Sequence, residues 1–241
     1  MATKVKEYYG VELPSPYEVF CNPAPLTIVY TVKDFQPEGD SFDDSCKFVG
    51  PSIAPRAAQT SFDFTVLEGK SVIYLTLGTV FNQAVAFYKE CFEAFGDTEH
   101  IVVMSVGSRT QLNELGKITG NFIVEHYVPQ MEVLSHARLF ITHGGMNSTH
   151  EGLYYGVPLV VIPQSADQPV IARQVVRSGA GVSLQMQDVN AALLRETADH
   201  VLGHVSFKTI AMAMSESLRR AGGYRQSAEA IIEFRNRYAA G

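Results

Sequence analysis

From about residue 58 to residue 223 the chain alternates two kinds of apolar pattern. Near-continuous apolar, β-branched runs fall at 71–77, 101–106, 121–126, 139–142, 159–162 and 181–184. Between them, at 82–95, 131–136, 147–155, 168–178 and 188–202, apolar residues return every three or four positions. The first pattern predicts strands buried on both faces, and the second predicts helices that cover them. Such alternation predicts an α/β fold, a Rossmann-like, doubly wound parallel sheet. Ligands of such sheets bind beyond the carboxyl ends of the strands, where Gly78-Thr79, Gly107-Ser108 and His143-Gly144-Gly145 fall.

The flanks follow other rules. Residues 1–57 hold seven of the chain's 11 prolines and suggest one strand, at 26–32. That composition predicts a connector attached to something else rather than a domain of its own. After Gly222-Gly223, residues 224–238 read as a separate amphipathic helix. Ala228, Ile231, Ile232 and Phe234 form its apolar stripe, and Arg225, Glu229, Glu233 and Arg237 its polar side.

Composition narrows the function classes. A formal net charge of −6 offers no basic footprint for nucleic acid. No apolar run is long enough to span a membrane, and the N-terminus lacks the apolar core of a signal peptide. Cys21, Cys46 and Cys91 are few, unclustered and without a CxxC pattern, so they read as reduced thiols of a soluble cytoplasmic protein.

The candidate chemistry gathers at the strand ends. In the segment 140–152 an apolar strand breaks into His143-Gly144-Gly145, and a helix opens at Asn147. Glycines let a backbone approach a ligand, and the first helical turn presents unpaired N–H groups to a phosphate. Asn147 and Ser148 could serve as helix caps or as anion ligands. Glu151 shares their face at i+4 and i+3, so it is either a ribose-binding carboxylate or a solvated helix residue. His143 suits a phosphate oxygen, with a plain buried histidine as the alternative. His143 and His150 lack the third ligand and the HExxH spacing of a zinc site. Tyr127-Val-Pro-Gln130 offers a stacking face and an amide, and Asp167-Gln168 opens another helix at the same sheet edge. Thr79 adds a hydroxyl to the Gly78 turn, which has neither the lysine nor the length of a P-loop. Asp43-Asp44 reads as a solvated pair, and a diphosphate held on helix N-termini needs no metal.

Three strings carry a resemblance: 127–134 (Tyr-Val-Pro-Gln-Met-Glu-Val-Leu), 142–152 (Thr-His-Gly-Gly-Met-Asn-Ser-Thr-His-Glu-Gly), and 156–164 followed by Asp167-Gln168. In that order they resemble the C-terminal half of UDP-glycosyltransferases, with the bacterial macrolide-glycosyltransferase branch nearest. The resemblance covers about residues 20–238 and implies the donor-binding domain of a two-domain GT-B enzyme. It places Tyr127 and the Val128 backbone at uracil, Gln130 and Glu151 at ribose, and His143, Gly145, Asn147 and Ser148 at the diphosphate with Thr79 nearby. Asp167 and Gln168 take the sugar hydroxyls. It implies a UDP-sugar donor, a small-molecule acceptor and no cofactor or metal.

In that family the general base, a histidine near the N-terminus, and most of the acceptor pocket lie in the N-terminal domain, and residues 1–57 contain no histidine. No catalytic residue is therefore expected here. On this reading 1–57 is a remnant of the N-terminal domain with the connector, 58–223 the nucleotide-sugar domain, and 224–241 a helix that crosses to the missing domain or drives homodimerisation. Rival readings are a non-catalytic nucleotide-sugar-binding module, one subunit of a split transferase, and a nucleotide-sugar epimerase.

Overall fold

The computed structural model describes residues 2–10, 24–54, 61–78 and 84–239. Its centre is a six-stranded sheet of β3 (Val72–Thr76), β4 (Ile101–Ser105), β5 (Phe122–Glu125), β6 (Ala137–Thr142), β7 (Leu159–Val161) and β8 (Gly181–Ser183). The order is β5-β4-β3-β6-β7-β8 and every pair is parallel. Strand order reverses between β3 and β6, the place where doubly wound sheets bind ligands.

Alternation along each strand feeds two cores. Ile73, Leu75 and Leu77 face one layer with Leu139 and Ile141, under α2 (Val85–Phe95) and α6 (Ala191–Gly203). Val72, Tyr74 and Phe140 face the other, under α3 (Gln130–His136), α4 (Met146–Tyr154) and α5 (Gln168–Ser178). All five residues of β3 are buried. Burial of each large apolar side chain contributes about 1.5–3 kcal/mol, so the central strand anchors both layers.

The six expected strands form with shifts of a residue or two at their ends. Two elements of the second half depart from expectation. The helix expected at 188–202 starts at Ala191, after a 3-10 turn at Met186–Asp188. The chain then adds α7 (Val205–Arg220), which the pattern of long apolar residues does not announce. Its buried positions are Ala211, Ser215 and Leu218, a narrow stripe of mostly small residues.

The flanks are more structured than a simple connector. A short α1 (Ala2–Tyr9) stands at the start. The expected strand at 26–32 shortens to β1 (Thr27–Val29) and pairs in parallel with an unforeseen β2 (Cys46–Phe48). Beyond β1, Val32 and Phe35 enter the second core. Asp43 caps a local turn, accepting from the Ser45 amide and hydroxyl. The final helix, α8 (Gly223–Ala239), docks on this ribbon. Gly223 N–H donates to the Val49 carbonyl at 2.6 Å, and Ser227 Oγ lies 2.9 Å from the Tyr30 hydroxyl. Its buried positions are Gly223, Ser227 and Ala230, so the expected stripe is not the docked face: Ile231 and Ile232 remain about half exposed, at 51% and 49%. Among the described residues no helix is long and apolar enough to cross a membrane.

Candidate functional site

The two strands flanking the switch point end in the same turn. Thr76 and Thr142 are register partners. Two residues on, Gly78 donates its amide to Thr76 Oγ1 at 3.2 Å, and Gly144 donates to Thr142 Oγ1 at 3.4 Å. Gly78 and Gly144 take φ of 79° and 82°, a left-handed backbone that side chains resist. The His143 ring lies between the turns. A Cβ on Gly78 would come within 2.6 Å of its Cε1, and one on Gly145 within 2.5 Å of its Nε2.

Gly145 caps α4 with no side-chain bond, and the first turn of the helix is Met146, Asn147 and Ser148. Neither Asn147 nor Ser148 is therefore the cap. Both sit inside the helix, ahead of its first i→i−4 bond, from Thr149 N–H to the Gly145 carbonyl. The amides of that first turn point out of the helix end, where anions are stabilised.

A chain of polar side chains runs beside them. The Tyr74 hydroxyl donates to Gln130 Oε1 at 2.9 Å. Gln130 Nε2 donates to Glu151 Oε2 at 2.5 Å and reaches Ser148 Oγ at 3.3 Å. The helix spacing that groups Ser148 with Glu151 therefore becomes a contact with Gln130, which opens α3 behind the Pro129 bend. A paired amide and carboxylate can donate to and accept from adjacent hydroxyls.

Tyr127, Val128, Gln130, His143, Gly145, Asn147, Ser148, Asp167 and Gln168 line one cavity of about 540 Å³. Glu151 joins it through Gln130. Thr79 lies outside the described residues. Tyr127 is 62% exposed, with its hydroxyl 3.3 Å from Ser108 Oγ on the neighbouring turn, so its ring forms an open wall. Gln168 is buried, and its Oε1 accepts from the Gln164 and Ser165 amides at 2.7 and 3.1 Å. That oxygen stabilises its own loop, in which Ala166 holds a positive φ of 57°. A second cavity of about 510 Å³ lies over β2 and the end of α7 and contains none of the candidate residues.

The two histidines of the segment differ. Burial holds the His143 imidazole below the ordinary histidine value, opposed by the nearby Asp167 carboxylate and the Thr76 carbonyl. Its Nδ1 is buried without a hydrogen bond. His150 turns away from the cavity. Its Nε2 lies 2.9 Å from Thr31 Oγ1, its ring packs 5.3 Å from that of Phe35, and burial lowers its pKa to about 4. Among the described residues no three His, Cys, Asp or Glu side chains gather as metal ligands.

Tyr74, Thr76, Ser105 and Met146 also line the cavity, although the sequence pattern does not single them out. The available signal was their position in the last three residues of β3 and β4 and directly behind the glycine pair.

Residues 89–221 match the family described as erythromycin biosynthesis protein CIII-like, C-terminal domain. The chain is 41% identical over 233 residues to the uncharacterized UDP-glucosyltransferase YojK of Bacillus subtilis, covering 97% of this chain and 58% of that protein. It is 42% identical over 219 residues to the NDP-glycosyltransferase YjiC of Bacillus licheniformis, covering 90% of this chain and 55% of that one. The solved structure of CalG4, the calicheamicin glycosyltransferase, superposes with a TM-score of 0.85 at 28% identity, over 98% of this chain and 60% of its own. The chain thus spans between one half and two thirds of the length of these relatives.

Proposed function

We propose, since the chain belongs to the erythromycin biosynthesis protein CIII-like C-terminal domain family, that it is the donor-binding half of an inverting, metal-independent UDP-sugar glycosyltransferase. The observation that carries this reading is the convergence of nine candidate residues, from three separate stretches of chain, on one cavity at the switch point. In it Tyr127 stacks on the uracil and Val128 bonds its edge. Gln130 and Glu151 hold the ribose. The α4 amides, Gly145, Asn147, Ser148 and His143 hold the diphosphate, with Thr79 adjacent. Asp167 and Gln168 face the sugar, which we take to be glucose.

In the complete reaction an acceptor hydroxyl attacks the anomeric carbon from the face opposite UDP. The C–O bond to the β-phosphate breaks, and the hydroxyl proton passes to a base. We assign that base, and the acceptor pocket, to the part of the relatives that this chain does not span, which makes turnover by this chain alone negligible. The chain's own share is to hold the leaving diphosphate. A helix N-terminus contributes about 0.3–1 kcal/mol, up to ~2 when partly buried. Charge-assisted hydrogen bonds contribute roughly 1.5–3 kcal/mol each. After association costs, these give a Kd for UDP on the order of 10–1000 μM.

Calorimetric titration with UDP, UDP-glucose, TDP and ADP tests the reading. Saturable UDP binding, weaker in Glu151→Ala and in His143→Ala and absent for ADP, is expected. A folded chain that binds none of the four would overturn it.

A further inference from the structure

The side-chain amide of Gln130 has two ends of nearly equal size and opposite polarity. One end must face the Glu151 carboxylate, only 2.5 Å away. Were that end the oxygen, two acceptors would collide. The carboxylate thus restrains the nitrogen end of the amide, and Tyr74 restrains the oxygen end. Tyr74 comes from the middle of β3, a strand with a neighbour on each side. Its ring is buried and stacks on Phe140, with centroids 4.9 Å apart and planes inclined by 11°. The hydroxyl is thereby fixed at the cavity floor, 2.9 Å from Gln130 Oε1. Burial and the nearby Glu151 charge raise the phenol's pKa, so the group stays protonated and donates at every working pH.

We propose that Tyr74 is a positioning residue that sets the polarity of the Gln130 amide, and so makes the Gln130–Glu151 pair a receptor for the vicinal diol of a ribonucleoside diphosphate. The inference rests on the assignment of this cavity to a nucleotide sugar. It goes further in naming the group that confers selectivity for ribose over 2′-deoxyribose, and that group need not touch the ligand. With the hydroxyl removed, Gln130 Oε1 loses the donor that Tyr74 supplies. The amide is then held from its nitrogen end only, and the geometry of the donor it offers to Glu151 loosens.

The test is titration of the wild-type chain and Tyr74→Phe with UDP and 2′-deoxy-UDP. The wild type should prefer UDP about tenfold or more, as expected for loss of a hydrogen bond to a charged group. In Tyr74→Phe the affinity for UDP should fall roughly five- to twentyfold, while that for 2′-deoxy-UDP changes by about twofold or less. The preference should thus nearly vanish. Equal weakening for both ligands would mean a merely structural role and would overturn the inference, as would an unchanged preference. Should Tyr74→Phe alone fail to fold, Tyr74→Phe/Gln130→Met is compared with Gln130→Met, a pair in which no amide is left unpartnered. Equal preferences are expected, and a further loss in the double variant would show Tyr74 acting by another route. Absence of UDP binding by the wild type would sink the nucleotide reading itself. A wild type that binds UDP with preference, beside a Tyr74→Phe that keeps it, would sink only the role of Tyr74.

Discussion

Two regions of the molecule meet on the short helix α4, and they are built on opposite terms. On the cleft side, Asn147, Ser148 and Glu151 stand beside the glycine turns, and His143 keeps a buried ring nitrogen without a hydrogen bond. On the far side, His150 is closed in by Thr31 and Phe35 from the segment after β1. One face holds polar groups ready for a ligand, and the other has already satisfied them with protein. The lesson is that two histidines seven residues apart, alike in sequence, carry different work. His143 lines the cleft, where we assign it to recognition, and His150 fastens residues 24–54.

The strongest way to break this contrast is His150→Ala. It removes a fully packed ring together with its bond to Thr31, and unfolding free energy should fall by about 3–4 kcal/mol in denaturant melts. UDP affinity of the folded fraction should stay within about twofold. A variant as stable as the wild type would refute the structural assignment.

Next comes pH. The folded His150 pKa, about 4, lies below the ordinary value of 6.5. The unfolded chain therefore binds the proton first as pH falls. The neutral ring's contribution is complete above about 6.5, is lost progressively down to about 4, and changes no further below that. The loss across this window is roughly 3 kcal/mol. In His150→Gln that part of the slope should be missing, and its persistence would shift the cause to the carboxylates.

On the cleft side, Glu151→Ala should lower UDP affinity by about 1.5–3 kcal/mol while leaving the melting temperature within about 3 °C. A large loss of stability without loss of affinity would make Glu151 a structural residue. The smallest effect belongs to Tyr127→Ala. Its ring is mostly exposed, so stability should change by about 0.5 kcal/mol or less. Loss of stacking should weaken UDP by roughly 1 kcal/mol, read in the same titrations.

The contrast also marks what the residue string alone conveys. The sheet was legible because its strands are long apolar runs, and the cleft because glycines and polar residues collect at their ends. Tyr74 was not. Inside Val-Ile-Tyr-Leu-Thr it counts as one more apolar residue, and only the pairing of β3 with β6 brings its hydroxyl to Gln130. β2 was hidden by the exposed lysine at its centre, which breaks the apolar run that marks the equally short β7. α7 was hidden because small residues make its contact face. The division of labour between His143 and His150 needs burial to be seen, since both follow from positions that a helix or a turn tolerates equally.

The adjacency of β3 and β6 has a consequence for the order of assembly. As the chain is synthesised, β3, β4 and β5 are complete while the partner of β3 on its other side does not yet exist. Parallel pairing across so long a loop is slow, and it leaves a strand edge open in the meantime. The cleft that we assign to a nucleotide lies on this late seam, so such a ligand would act as a rivet across it. Refolding in the presence of UDP should slow the reopening of the β3–β6 edge more than that of β3–β4, a difference that hydrogen exchange at Ile73, Leu75 and Ile141 would register.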